Sequence, residues 1–177
     1  KDRVHNMDAF IKEIIDFSRN ARQSIKKEPV IIFQAIQETI DDLKFAKGLE
    51  QIYVRLEIPR DHQIVTDKSR FSVILHNLIG NAFKYCDAKK ENQEVAIRVF
   101  PEGETTRIEI ADNGLGIAAE HHDKIFEMFY RASEQSQGSG LGLYIVRETL
   151  TRLNGTIQLK SALGQGSTFT LRLPNHL

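Results

Sequence analysis

The chain has 177 residues, 41% hydrophobic and 27% charged, with 24 Lys plus Arg balanced by 24 Asp plus Glu. A formal net charge of zero excludes a global basic field for nucleic acid or an anionic membrane, and the composition suits a soluble globular fold with a core. No apolar run approaches the ~18 residues that span a bilayer, and the single cysteine, Cys86, permits no internal disulfide and fits a reducing, cytoplasmic setting.

The chain opens at Lys1 with neither initiator methionine nor signal peptide, which reads as a segment of a longer protein. Val4, Met7, Ile11, Ile14, Ser18, Ala21 and Ile25 recur at alternating steps of three and four, an a/d seam from Asp2 to Lys26. Phe10, Ile15 and Phe17 widen that face, which suits a helical bundle; an ordinary helix docked on the next domain is the alternative. Pro29 ends this helix, so residues 1–28 and 29–177 are expected to be separate units. Val30–Ile32 reads as a short strand. A helix is expected from Phe33 to about Lys47, with Phe33, Ile36, Ile40, Leu43 and Ala46 on one face and Gly48 as its stop. Tyr53–Ile58 alternates as a strand before Pro59, and Ile64–Val65 is a second, short one.

Thr66 or Asp67 is placed to cap the next helix. In that helix Phe71, Ile74, Leu75, Leu78 and Ala82 share an apolar face, while Asn77, Asn81, Lys84 and Tyr85 form a polar stripe beside it. Such a stripe is either solvated or a site for an anion and its metal. Glu94–Phe100 and Thr105–Ala111 alternate as a hairpin around Pro101-Glu-Gly103. Ala118–Phe129 is expected to be helical, Tyr130–Gly140 a loop and Leu141–Leu153 a helix. Gly155–Leu159 and Ser167–Leu173 are the last strands. One sheet covered on one face by helices accommodates this order.

Three glycine clusters follow the polar stripe. Asp112-Asn-Gly-Leu-Gly-Ile117 ends a strand; its carboxylate can accept from the N6 amino group of adenine, although the same residues also make an ordinary tight turn. Gly138-Ser-Gly-Leu-Gly-Leu143 precedes a helix, whose N-terminal N–H groups suit an anion. It lacks the Gly-Lys-Ser/Thr of a Walker loop and the surrounding βαβ unit of a Rossmann site. Gly164-Gln-Gly-Ser-Thr-Phe169 joins two strands and alone is a hairpin turn.

As a set these motifs resemble the boxes of sensor histidine kinases, in that family's order and spacing. Asn77-Leu-Ile-Gly-Asn81-Ala-Phe-Lys84-Tyr85 is similar to the N box and Asp112–Ile117 to the first glycine box. Lys124-Ile-Phe-Glu-Met-Phe-Tyr-Arg131 is similar to the F box, Gly138–Leu143 to the second glycine box, and Gly164–Phe169 to the last. The resemblance implies a Bergerat-type α+β two-layer sandwich, a mixed sheet with about three helices on one face, preceded by one bundle-type helix. It implies ATP and Mg²⁺ as cofactors, with Asp112 on adenine and Asn81 on the metal. Asn77, Lys84, Tyr85 and Arg131 would attend the phosphates and metal, with catalytic roles for Asn77, Lys84 and Arg131. Gly114, Gly116, Ile117, Phe129, Gly138, Ser139, Gly140, Leu141, Gly142, Leu143, Ser167 and Thr168 would complete the nucleotide site, under a lid at Tyr130–Gly138.

Related hydrolases of this fold carry a glutamate four residues before the metal-binding asparagine. Here that position is Asn77, which cannot act as a general base, so the resemblance favours transfer to a protein over hydrolysis. Val4–Ser18, with Asp16-Phe-Ser-Arg-Asn20, looks like the second helix of the dimerisation and phosphoacceptor domain. None of His5, His62, His76, His121, His122 or His176 matches the family's acceptor motif, and His121-His122 reads as a solvated face. The implied partners are therefore a phosphoacceptor helix of the same or a second subunit and a response-regulator receiver domain. The implied full-length protein is a membrane-anchored homodimer with this part in the cytoplasm. A same-fold ATP hydrolase, a nucleotide-sensing scaffold without transfer and a serine kinase are the competing readings.

Overall fold

The computed structural model describes residues 23–47, 51–132 and 138–177, without the side chains of 45–47. Gly48 and residues 1–22 of the expected bundle helix lie outside these residues. The end of that helix, expected to reach Lys26, is corrected, because residues 23–27 are irregular. The expected boundary between Glu28 and Pro29 falls inside the first strand, which starts at Glu28.

Strand β1 (Glu28–Ile31) pairs antiparallel with β3 (Gln63–Thr66), with Pro29 opposite Val65. Pro29 therefore sits within a strand, on an edge where a missing N–H is tolerated. The chain end lies along the other side of β3, with Val65 bridged to His176. This small sheet stands apart from the main one, so the expectation of a single sheet is corrected: a four-residue strand capped by the C-terminal tail has no neighbour in the larger sheet.

Helix α1 (Ile32–Lys47) starts directly after β1 and buries Ile32, Ala35, Ile36 and Ile40. Phe33 is only half-buried, under the Arg60 guanidinium at 3.9 Å, so the packed face is rotated from the expected one. Helix α2 (Lys68–Lys84) is capped by Asp67, whose side chain accepts the Arg70 N–H. Its buried Phe71, Ile74, Leu75, Leu78 and Ala82 are the apolar face that the sequence periodicity marks.

The main sheet has the order β2-β4-β5-β7-β6, from β2 (Tyr53–Glu57), β4 (Glu94–Glu102), β5 (Thr105–Asp112), β6 (Thr156–Ala162) and β7 (Gly166–Pro174). It is mixed: β2 runs parallel to β4, and the other pairs are antiparallel. Strand β4 continues through Pro101, because β2 has ended opposite Arg98 and leaves an open edge. The turn is then Gly103-Glu104, with Gly103 at φ +63°. Ile97, Val99, Ile108, Ile110, Phe169 and Leu171 are at most 5% exposed and form the floor on which the helices pack. The opposite face carries ion pairs, among them Arg107 with Glu102 and Glu109, and Arg55 with Glu57. One apolar and one charged face make a two-layer sandwich, with the helices on the apolar side.

Helix α3 (Gly142–Arg152) closes that layer. It ends in a Schellman motif: Asn154 adopts φ +53°, and the N–H groups of Asn154 and Gly155 return to Thr151 and Leu150. The helix expected over Ala118–Phe129 is instead a 3-10 turn, Ala119–His121, followed by further tight turns. Its hydrogen bonds run mostly three residues back, and the segment ends at Phe129 with φ +66°, which no helix continues.

Candidate functional site

A cavity of about 530 Å³ opens between the C-terminal half of α2, the glycine loop after β5, the start of α3 and the first residues of β7. It gathers residues far apart in sequence. From α2 come Asn77, Asn81, Lys84 and, at its cap, Tyr85; from β5 and the loop after it come Asp112, Gly116 and Ile117. Of the expected set, Arg131, Gly138, Ser139, Gly140, Gly142, Leu143 and Ser167 line it as well. Four expected residues do not line it. Leu141 is 3% exposed and turned into the core, while Phe129 is 51% exposed. Gly114 packs beneath the loop against the Tyr85 carbonyl, and Thr168 is held within the sheet between Ala111 and Lys160. The middle of the expected lid, 133–137, lies outside the described residues.

The polar groups on α2 are prepared differently from one another. The Asn77 side-chain NH₂ donates to the Val73 carbonyl at 2.8 Å, which fixes Oδ1 outward. A Cβ on Gly142 would lie 2.7 Å from that oxygen, so a glycine here lets α3 begin against the carboxamide. The Asn81 carboxamide has no hydrogen-bond partner among the described residues and lines the cavity. The Lys84 ammonium lies 4.7 Å from the Tyr85 ring and close to Gly138. Among the described residues no side chain caps α3, and the Gly142 and Leu143 N–H groups that open it suit an anion.

Asp112 ends β5 at the other side of the cavity. Its Oδ1 accepts the N–H groups of Gly114 at 2.8 Å and Ser167 at 3.3 Å. Burial raises its pKa, and those two N–H groups and the Lys90 charge only partly offset the rise. Oδ2 has no partner among the described residues and is left for a ligand donor. The glycines around it permit backbone contact: a Cβ on Gly116 would strike the Ala162 carbonyl at 1.9 Å, and one on Gly166 the Asp112 carbonyl at 2.0 Å. The first and last glycine boxes are thus two sides of one joint.

Other lining residues carry no signal in the periodic pattern. The Leu115, Leu163 and Phe169 side chains add apolar wall. The His121 ring hydrogen-bonds the Tyr130 hydroxyl at 2.7 Å, and His122 meets the Ile117 carbonyl at 3.0 Å. These two histidines are tied into the rim, contrary to the solvated face expected of them, because the tight turns fold them back onto the glycine loop. His76 lies off the cavity, bonded to Ser72 on its own helix. Among the described residues no group of three or more His, Cys, Asp or Glu side chains is placed to hold a metal. An oxygen-loving cation shared with a ligand needs no such group, and the unpartnered Asn81 oxygen suits it.

The sequence profile of the histidine kinase-, DNA gyrase B- and HSP90-like ATPases matches residues 66–177. The chain belongs to this family. Within the family, its similar curated relatives are sensor kinases. A sensor-like histidine kinase, SenX3, of Mycolicibacterium smegmatis is 30% identical over 97% of this chain and 46% of its own length. The aerobic respiration control sensor protein ArcB of Escherichia coli is 32% identical over 91% of this chain and 22% of its own. The chain thus spans less than half of either relative. A crystal structure of full-length ShkA in complex with AMPPNP superposes with a TM-score of 0.78 at 25% identity, over 94% of this chain and 35% of that one. The histidine kinase AdeS of Acinetobacter baumannii superposes with a TM-score of 0.77 at 21% identity, over 98% and 80% of the two chains, and shows the shared fold. The ATPase family's sandwich is therefore the fold of this chain. Among the described residues no helix is long and apolar enough to cross a membrane.

Proposed function

We propose that this chain binds Mg-ATP in the cavity between α2 and α3 and is the ATP-binding catalytic part of a sensor histidine kinase. The observation that carries the reading is the pairing, across one cavity, of a half-buried carboxylate with an ammonium, a carboxamide that has no partner among the described residues and a helix start that has no side-chain cap among them. Asp112 Oδ2 would accept from the adenine N6 amino group and disfavour guanine, which presents an acceptor there. Asn81 would hold Mg²⁺ together with the phosphates, and the ion would neutralise charge on the oxygens of the transferred group. Lys84 and Arg131 would meet the negative phosphates, and the N–H groups that open α3 would position them.

Asn77 favours transfer over hydrolysis. Its NH₂ is tied to Val73, and a carboxamide takes no proton from water, so the α2 side of the cavity holds no general base at that position. The γ-phosphoryl would pass to a histidine on a phosphoacceptor helix of the same or a second subunit, and from there to an aspartate of a response-regulator receiver domain. In this reading the segment before residue 23 carries the second helix of the dimerisation domain, and the chain from β1 onward is the catalytic unit of a membrane-anchored homodimer.

Incubation with γ-labelled ATP and Mg²⁺ tests the reading. The chain alone is expected to take up no acid-labile label and to release little phosphate. The same chain extended to include an upstream phosphoacceptor histidine is expected to become labelled at that histidine. Sustained phosphate release without labelling would establish a hydrolase instead.

A further inference from the structure

Lys90 lies in the loop between α2 and β4, outside every sequence box, yet its ammonium meets both sides of the glycine joint. Nζ donates to the Asn113 carbonyl at 2.5 Å and the Gly164 carbonyl at 3.0 Å, and stands 3.5 Å from the Gly114 carbonyl. An ammonium has three protons and no acceptor, so three carbonyls from two loops suit it. The loop that presents it is itself fixed: Asp87 accepts the Lys89 and Lys90 N–H groups, at Oδ1 and its carbonyl respectively. The Asn113 side chain ties the same loop from the other side, donating to the Asn92 carbonyl and accepting the Glu94 N–H. On the far side of the joint the Ser161 hydroxyl accepts the Ile117 N–H and contacts the Gly166 carbonyl at 2.8 Å.

Building on the nucleotide reading above, we propose that Lys90 is the positioning residue of base recognition. It clamps the loop after β5 to the β6–β7 turn and so holds the Asp112 carboxylate facing the cavity. Without the ammonium, three carbonyls lose their donor at the point where two backbones touch, and the carboxylate loses its nearby positive charge. The ionisable groups acting on Asp112 are few. Lys90 favours its ionised form, while the Cys86 thiol, pushed up to about 11 by burial and by the Asp112 charge, stays neutral. The strand neighbours Val95 and Ser167 carry no charge, and Lys84, Glu120, His121 and Arg131 line the same cavity.

The experiment is calorimetric titration of the full chain with Mg-AMPPNP and Mg-GMPPNP from acid to neutral pH, for the wild type, Lys90→Met and Lys90→Arg. Lys90→Met is expected to melt close to the wild type, to bind Mg-AMPPNP about tenfold more weakly, and to discriminate less between the two nucleotides. Affinity should fall as Asp112 takes its proton. Loss of the Lys90 charge should raise that carboxyl further, so the acid edge moves to higher pH. Lys90→Arg retains the charge and should keep the wild-type edge. An unshifted acid edge in Lys90→Met, or an edge in Lys90→Arg as displaced as in Lys90→Met, overturns the proposal. Failure of the wild type to bind Mg-AMPPNP overturns the nucleotide reading itself, which separates the two.

Discussion

The two ends of α2 carry polar residues of similar kinds in opposite conditions. At the start, Asp67 and Arg70 form an ion pair whose side chains are 6% and 5% exposed. The pair also reaches the chain entering the domain: the Lys26 N–H donates to Asp67 and the Arg70 guanidinium to the Gln23 carbonyl. At the other end, Asn81 faces a cavity with no partner among the described residues, and the carboxylate across from it has one oxygen unused among them. The first arrangement is closed and holds the helix in place. The second leaves polar groups open toward the cavity. A polar residue on a buried helix is thus informative through what it lacks, since buried groups are otherwise satisfied.

The pKa shifts follow the same division. Burial acts to raise Asp67, yet the Lys26 and Arg70 hydrogen bonds and the Arg70 charge outweigh it and hold the carboxyl below its ordinary value. Its contribution to stability is present above the unfolded pKa and is lost as pH falls through the lowered folded value. Asp112 is raised, so its ionised form opposes folding, and that cost grows as pH rises through its unfolded value.

The largest expected effect of a substitution on stability is at the closed end. Arg70→Ala leaves a buried carboxylate unpaired and should cost about 3–5 kcal/mol in denaturant unfolding. A loss under 1 kcal/mol would erase the distinction between the two ends. A smaller effect of opposite character is expected at the cavity. Asp112→Asn should leave the thermal midpoint at neutral pH unchanged or higher, while weakening Mg-AMPPNP binding about tenfold in a titration. A clear fall in the midpoint with unchanged affinity would assign Asp112 to structure.

The cavity side of α2 was legible because both its stripes repeat at the helical period: Ile74, Leu75 and Leu78 inward, Asn77 and Asn81 beside them. The glycine boxes were legible as turns, but the reason for two of the glycines was not. Gly116 and Gly166 are needed where the backbones of distant loops touch, which no local pattern encodes. Lys90 escapes for the same reason, since its partner Gly164 lies 74 residues away. The segment after Ala118 misleads in the other direction. Ile125 is buried and the composition suits a helix, yet the chain must turn along the cavity rim, where His121 meets Tyr130. The separate β1–β3 pair was also hidden, because short strands do not announce their partners.

The account rests on the open end of α2 being a metal-dependent nucleotide site. The most direct measurement is the affinity of the chain for AMPPNP with and without Mg²⁺, for the wild type and Asn81→Ala, with unfolding followed alongside. The wild type should bind one nucleotide with Mg²⁺, and Asn81→Ala should lose that Mg²⁺-dependent affinity while unfolding like the wild type. Equal Mg²⁺-dependent binding by both proteins would contradict the account.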